Sequence, residues 1–141
     1  MKTSIGGINI IKKHEGCKLE AYQDSVGVWT IGYGQTGFAL GKKIQKGLKI
    51  TQVQADFLLM HNIIPFENAI NKLVKVKLKQ NQFDALVDFV YNIGINAFSK
   101  STLLKLLNQG KYKEAADQFL MWNKPKELIK RRQEEKALFL L

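Results

Sequence analysis

Three carboxyl groups fall in the first quarter of the chain, at Glu15, Glu20 and Asp24, and a hydroxyl follows at Thr30. Two carboxyl groups with different tasks are what hydrolysis of a glycosidic bond uses. One is protonated and releases the leaving oxygen; the other is ionised and activates water or attacks carbon. Glu15 is expected in the last turn of a first helix, where backbone carbonyls present partial negative charge. A carboxylate is disfavoured there, which suits a general acid. Asp24 is expected at the end of a strand, before the turn Ser25–Gly27, a place where aspartate is also common simply as a turn former. Thr30 falls on the return strand and shares a face with Val28 and Gly32. These placements put an acid, a base and a water-holding hydroxyl around one sugar ring, but an ordinary helix end, turn and strand would look the same.

The elements that must position these groups are legible in outline. Ser4 can cap the first helix, with Ile5, Ile8 and Ile11 on one face and Gly16 as its stop. The stretch LEAYQDSVGVWTIGYGQTG, rich in aromatic and β-branched residues, reads as a hairpin. From Thr51 the pattern turns helical. Thr51 and Gln54 make a capping box, and Val53, Phe57 and Leu58 suggest a buried face. Pro65 must kink or restart that helix. Amphipathic runs then end at Gly94 and Gly110, KYKEAADQFLMW follows, and a last helix is expected near Pro125. The expectation is an α+β fold with a small antiparallel sheet lobe, a larger helical lobe and a ligand cleft between them. One domain is expected over residues 1–141, with about 1–50 as helix and hairpin lobe and about 51–141 as linking helix and helical lobe.

The chain of 141 residues is long enough for a core without metals or disulfides. Cys17 is the only cysteine, so no internal disulfide forms. Neither histidine is placed to activate it, and it reads as a small buried thiol. The N-terminus is too short and interrupted in its apolar stretch for a signal peptide or a membrane span. Twenty-two basic against twelve acidic residues give a net charge of +10, a field that draws the protein towards polyanions such as nucleic acid, anionic lipid or an acidic wall polymer. No nucleic-acid motif accompanies it, so specific nucleic-acid binding is not expected.

HEGCKLEAYQDSVGVWTIGYG resembles the active-site segment of the phage-type lysozymes, or endolysins. Their signature is a glutamate, an aspartate nine positions on and a threonine six further, which Glu15, Asp24 and Thr30 match, with Tyr33 and Gly34 continuing it. The resemblance extends through QNQFDALVDFVYNIG, FSKSTLLKLLNQGKYKEAADQF, the pair Trp122-Asn123, and Arg131-Arg132 followed by Glu135. It implies a muramidase that hydrolyses the β-1,4 bond between N-acetylmuramic acid and N-acetylglucosamine by inversion, needing no cofactor or metal. Inversion implies carboxyl groups about 6.5–9.5 Å apart and a bell-shaped pH–rate profile. The resemblance further implies that Tyr91, Asn92 and Ser101 or Thr102 line the saccharide groove, and that Arg131 or Arg132 lies near the catalytic glutamate. Gln35 stands where many relatives carry histidine and can hydrogen-bond a sugar, but cannot form an ion pair. By the same resemblance the protein is a monomer held in the host bacterium's cytoplasm until a holin releases it to the periplasm or wall, where it lyses the cell.

Two other readings remain. A lytic transglycosylase cleaves the same bond without water, but does not need the Asp24 and Thr30 pair. A cationic membrane-active protein would use KPKELIKRRQEEKALFLL as an amphipathic helix against anionic lipid.

Overall fold

The computed structural model describes residues 1–141, which form two compact units. One comprises Met1–Ile10 with Pro65–Leu141, the other Ile11–Ile64. The fold combines helices with small antiparallel sheets, as the α+β expectation required. Helix α1 (Ile5–Glu15) starts in the first unit and ends in the second.

In the sheet-bearing unit, β1 (Lys18–Gln23), β2 (Trp29–Gly32) and β3 (Gln35–Thr36) form a three-stranded antiparallel sheet. β4 (Phe38–Ala39) and β5 (Lys42–Lys43) form a second, two-stranded one. The β1–β2 connection is the three-residue loop Ser25-Val26-Gly27. The Asp24 amide donates to the Val28 carbonyl, the Gly27 amide donates to the Asp24 carbonyl, and Gly27 takes a φ of 85°. Glycine enters that left-handed region without the Cβ clash other residues suffer, which is why this loop needs one. Helix α2 (Gln52–Asn62) opens with the expected capping box: the Gln54 amide donates to the Thr51 hydroxyl, and the Thr51 amide to the Gln54 side chain. Its buried residues are Ala55, Leu58 and Leu59, whereas Val53 and Phe57 are 78% and 60% exposed. Of the expected face only Leu58 is buried. Apolar residues occupy two stripes of helical spacing on α2, and only the one carrying Leu58 packs inward. Val53, Phe57 and Met60 form the outward one.

The helical unit is built around α4 (Gln80–Ile93), in which every residue from Phe83 to Val90 is buried. Around it stand α3 (Ile64–Leu73), α5 (Ile95–Ser99), α6 (Thr102–Asn108), α7 (Tyr112–Gln118) and α8 (Ile129–Phe139). Pro65 sits in the first turn of α3, so it restarts a helix as expected. Pro125 does not open α8 directly: a 3-10 turn, Lys126–Leu128, intervenes. Phe89, Phe119 and Phe139 meet edge to face at centroid distances of 5.0 and 5.6 Å, the geometry aromatic quadrupoles favour.

Helix α1 is anchored at its start. The Ser4 hydroxyl accepts from the Gly7 amide as an N-cap, while the Ser4 amide and hydroxyl donate to the Asp84 carboxylate. Ile8 and Ile11 are buried, but Ile5 is 81% exposed, so the expected apolar face begins one turn later. The small residue Gly7 turns inward against Asp84 instead, and a larger apolar side chain has no room there.

Candidate active site

All three residues expected to do chemistry belong to the sheet-bearing unit. Glu15 is the last residue of α1, half-buried. Its Oε1 would lie 3.3 Å from a Cβ placed on Gly34, so the carboxyl group lies close beside the backbone of the β2–β3 turn.

Asp24 is exposed at the hairpin turn, and its Oδ1 accepts from the amides of Val26 and Val28 at 3.0 and 2.9 Å. The aspartate is thus the turn former that the sequence allowed, and the same two bonds set the direction of its carboxylate. Oδ2 stands outside these bonds. Thr30 is buried on β2, and its hydroxyl donates to the Val28 carbonyl at 2.9 Å. With its one proton committed, that hydroxyl can only accept from a further partner.

Tyr22 completes this face. It pairs directly with Thr30 across the β1–β2 ladder, and the Asp24–Val28 bond continues the ladder, so Tyr22, Asp24, Val28 and Thr30 share one side by the two-residue period. Burial raises the Tyr22 hydroxyl above its ordinary pKa, and the carboxylates of Glu15 and Asp24 raise it further. In the sequence Tyr22 is one aromatic of the hairpin stretch among several, and its signal is the spacing of two from Asp24 along a strand.

Other expected residues have structural partners. The Tyr33 ring is buried, and its hydroxyl donates to Asp56 Oδ1 at 3.0 Å and accepts from Gln52. Lys12 pairs with the same Asp56 oxygen at 3.3 Å and lies 5.7 Å from the Tyr33 ring centroid. Burial and the Asp56 bond push the Tyr33 pKa up to about 12, while the bonds from Gln52, Tyr33 and Lys12 hold Asp56 below the usual carboxylate range. Lys12, Gln52 and Asp56 carry no motif and were not anticipated. Gln35 donates to the Phe38 carbonyl at 2.7 Å and so bridges the β3–β4 turn. Cys17 is half-buried, more open than expected.

The remaining residues lie in the helical unit. Ser101 is the N-cap of α6; its hydroxyl accepts from the Leu104 amide and donates to the Phe98 carbonyl. Thr102 is exposed beside it. The Tyr91 ring lies 5.2 Å from Phe66. Arg131 and Arg132 are only 5% and 0% exposed. Arg131 makes a two-pronged pair with Asp88, at 2.8 and 3.0 Å. Arg132 pairs with Glu135 at 2.8 Å and donates to Asn92 and to the Trp122 carbonyl. Burial, and next the neighbouring Asp88 carboxylate, push the Glu135 pKa up to about 10 despite Arg132. Asn92, Trp122, Lys124 and Arg132 also line a hollow of about 240 Å³. Of the cations in the final segment, these two arginines are packed inside, whereas Lys124, Lys126 and Lys130 are exposed.

The phage lysozyme family model matches residues 12–135. The chain is 45% identical to the endolysin of Salmonella phage P22 over 144 residues, covering 99% of each. It superposes on a crystal structure of a P22 lysozyme mutant with a TM-score of 0.92 at 44% identity, covering 100% of this chain and 99% of that one. The muramidase domain of SpmX from Asticaccaulis excentricus is also similar, with a TM-score of 0.91 at 41% identity over 99% and 98% of the two chains.

Proposed function

The chain belongs to the phage lysozyme family, and from that premise we propose an inverting muramidase in which Glu15 is the general acid and Asp24 and Thr30 hold the attacking water. The protein is a peptidoglycan-hydrolysing lysozyme of the endolysin type, a glycoside hydrolase that brings about host cell lysis. The observation that carries the assignment of roles is the hairpin face. Asp24 Oδ2 stands outside the turn's hydrogen bonds, and the Thr30 hydroxyl donates its hydrogen bond to the Val28 carbonyl.

Two acceptors set this way take both protons of one water and leave its lone pair aimed at the anomeric carbon of N-acetylmuramic acid. Glu15 gives its proton to the departing oxygen of N-acetylglucosamine as the glycosidic bond breaks. The water oxygen bonds to the anomeric carbon from the opposite face, and its proton passes to Asp24. Solvent then returns that proton to Glu15. No step requires a metal or cofactor.

Mass spectrometry of the sugars released from purified peptidoglycan tests this reading. Wild type should yield hydrated, reducing muramic acid ends whose first-formed anomer by proton NMR is α, and Glu15→Gln should yield none. Anhydro ends would move the case to a transglycosylase; a β-anomer would overturn inversion.

Release from the host cytoplasm through a holin, a monomeric state and attraction to anionic wall or outer-membrane polymers are part of the same proposal. The relatives named endolysins and the charge of +10 support it, and no helix is long and apolar enough to cross a membrane. Of the other expected residues, we assign substrate contacts to Asn92, exposed and lining its hollow, and to exposed Thr102. Gln35, Tyr33, Ser101, Arg131 and Arg132 are hydrogen-bonded within the protein and act through the shape they maintain, as does Gly34 beside the Glu15 carboxyl group, while Tyr91, whose ring lies beside Phe66, is kept as a substrate contact on the family resemblance. Lysis of host cells on co-expression with a holin, and its absence without one, would test the release route.

A further inference from the structure

We propose that Tyr22 is a positioning residue of the hydrolytic reaction, a neutral hydrogen-bond donor that serves whichever of Asp24 and Glu15 bears the negative charge. This rests on the roles assigned to Glu15, Asp24 and Thr30. Tyr22 faces Thr30 across the hairpin and lies two residues from Asp24, so its phenol stands on the same side of the sheet as both. It is 37% exposed, open to solvent and to substrate. Glu15 at the end of α1 and Asp24 at the turn are the two charged groups that act on it.

During the reaction the negative charge in this site moves but does not change in amount. Before bond cleavage Asp24 is the carboxylate and Glu15 the acid. Afterwards Glu15 has lost its proton to the leaving oxygen, and Asp24 has gained one from water. A fixed donor aimed at one of them would favour only one end of the reaction. A phenolic O–H turns about its C–O bond, and Tyr22 lies within the field of both carboxylates, so it can follow the charge while keeping its own proton. Burial and the same field favour the protonated form of the hydroxyl.

Tyr22→Phe removes the hydroxyl and keeps the ring. The expected result is a fall in kcat of roughly tenfold to a hundredfold with KM little changed, as for loss of a hydrogen bond to a charged group. A hydroxyl that serves both carboxyl groups in turn requires that both limbs of the pH–rate profile also move to higher pH in the variant. A kcat like that of wild type, or a loss of kcat with unmoved limbs, overturns the proposal. A second measurement spares the tyrosine: in protein carrying ¹³C-labelled tyrosine, the Tyr22 hydroxyl should ionise at lower pH in both Glu15→Gln and Asp24→Asn. An unchanged titration in either variant also overturns it. Full activity of Glu15→Gln sinks the underlying assignment of the acid, whereas an inactive Glu15→Gln beside a fully active Tyr22→Phe sinks only the role of Tyr22.

Discussion

The carboxyl group of Glu15 rests against the backbone of Gly34, with Oε1 3.3 Å from the place a Cβ on that glycine would occupy. Gly34 also has a φ of 90°, a conformation L side chains rarely adopt. Gly34→Ala should therefore cost about 1–3 kcal/mol in backbone strain and displace the carboxyl group of Glu15, the proposed acid, as well. Because small misplacements of a catalytic group are expensive, kcat should fall on the order of a hundredfold. Gly37→Ala separates the two effects: its φ is 81°, but nothing lies within 4 Å of its Cβ position. That variant should lose stability in thermal melts and keep its turnover on peptidoglycan, and equal turnover in the two variants would contradict the steric account.

Tyr33 gives an alkaline signature. Its pKa is raised to about 12 in the fold from an ordinary 10.0, so its contribution to stability is complete below pH 10 and is lost as pH rises through 12. Tyr33→Phe should be less stable than wild type by about 0.5–1.5 kcal/mol at neutral pH, and the gap should close between pH 10 and 12. Lysine deprotonation affects both proteins alike and cancels in the comparison. Denaturant melts at several pH values would show it, and a gap that persists at pH 12 would rule out the Asp56 bond as its source. Asp56 itself is held low, so its contribution fades as pH falls below the ordinary 3.8. Partial exposure of the pair with Lys12 keeps that effect small.

What the sequence made legible followed from local rules. Ser4, Thr51 and Gly27 act within a few residues of themselves, and caps and turns of that kind can be read directly. The three residues expected to do chemistry lie within sixteen positions and fold into one hairpin and the helix before it. What failed depended on tertiary partners. Val53 and Phe57 have the same spacing as a buried stripe, and only the packing of Ala55, Leu58 and Leu59 decides which stripe turns in. Ile5 looked like core because nothing local reports that Asp84, eighty residues away from Ser4, occupies the inward side of that turn. The burial of Arg131 and Arg132 was illegible for a similar reason: their partners Asp88 and Asn92 lie about forty residues upstream.

The two glycines of the first turn of α1 should respond oppositely to alanine. At Gly6 a Cβ would meet only Ser4 Oγ at 3.6 Å, an ordinary contact, so Gly6→Ala should stabilise by about 0.5–1 kcal/mol through helix propensity. At Gly7 it would stand 2.6 Å from Thr3 Cγ2 and 2.7 Å from Asp84 Cγ. Asp84 cannot easily move, since Ser4 and Gln80 both donate to it. Gly7→Ala should therefore destabilise by about 1–3 kcal/mol in spite of the better propensity. Urea melts of both variants check the opposite signs.

The buried cluster of α4 and α8 predicts a contrast between two acids. Asp88 has no exposed side-chain surface and binds Arg131 through two nitrogens, so Asp88→Ala would leave a guanidinium buried without its counter-charge. The expected cost is about 3–5 kcal/mol. Glu135 is different. Burial and the nearby Asp88 carboxylate keep it protonated at neutral pH, and its Oε2 accepts no hydrogen bond although Arg131 Nε is 3.7 Å away. A glutamine there is close to the group already present, and its carbonyl can still accept from Arg132. Glu135→Gln should thus stay within about 1 kcal/mol of wild type near pH 7. The folded state holds a proton on Glu135 that the unfolded chain releases above its ordinary 4.5, so wild-type stability relative to Glu135→Gln should fall as pH rises from there towards 10. Paired urea melts at pH 5, 7 and 9 would detect this slope. The opposite trend, with wild type gaining on the glutamine variant as pH rises, would mean that Glu135 is ionised in the fold and that the cluster is held by two ion pairs.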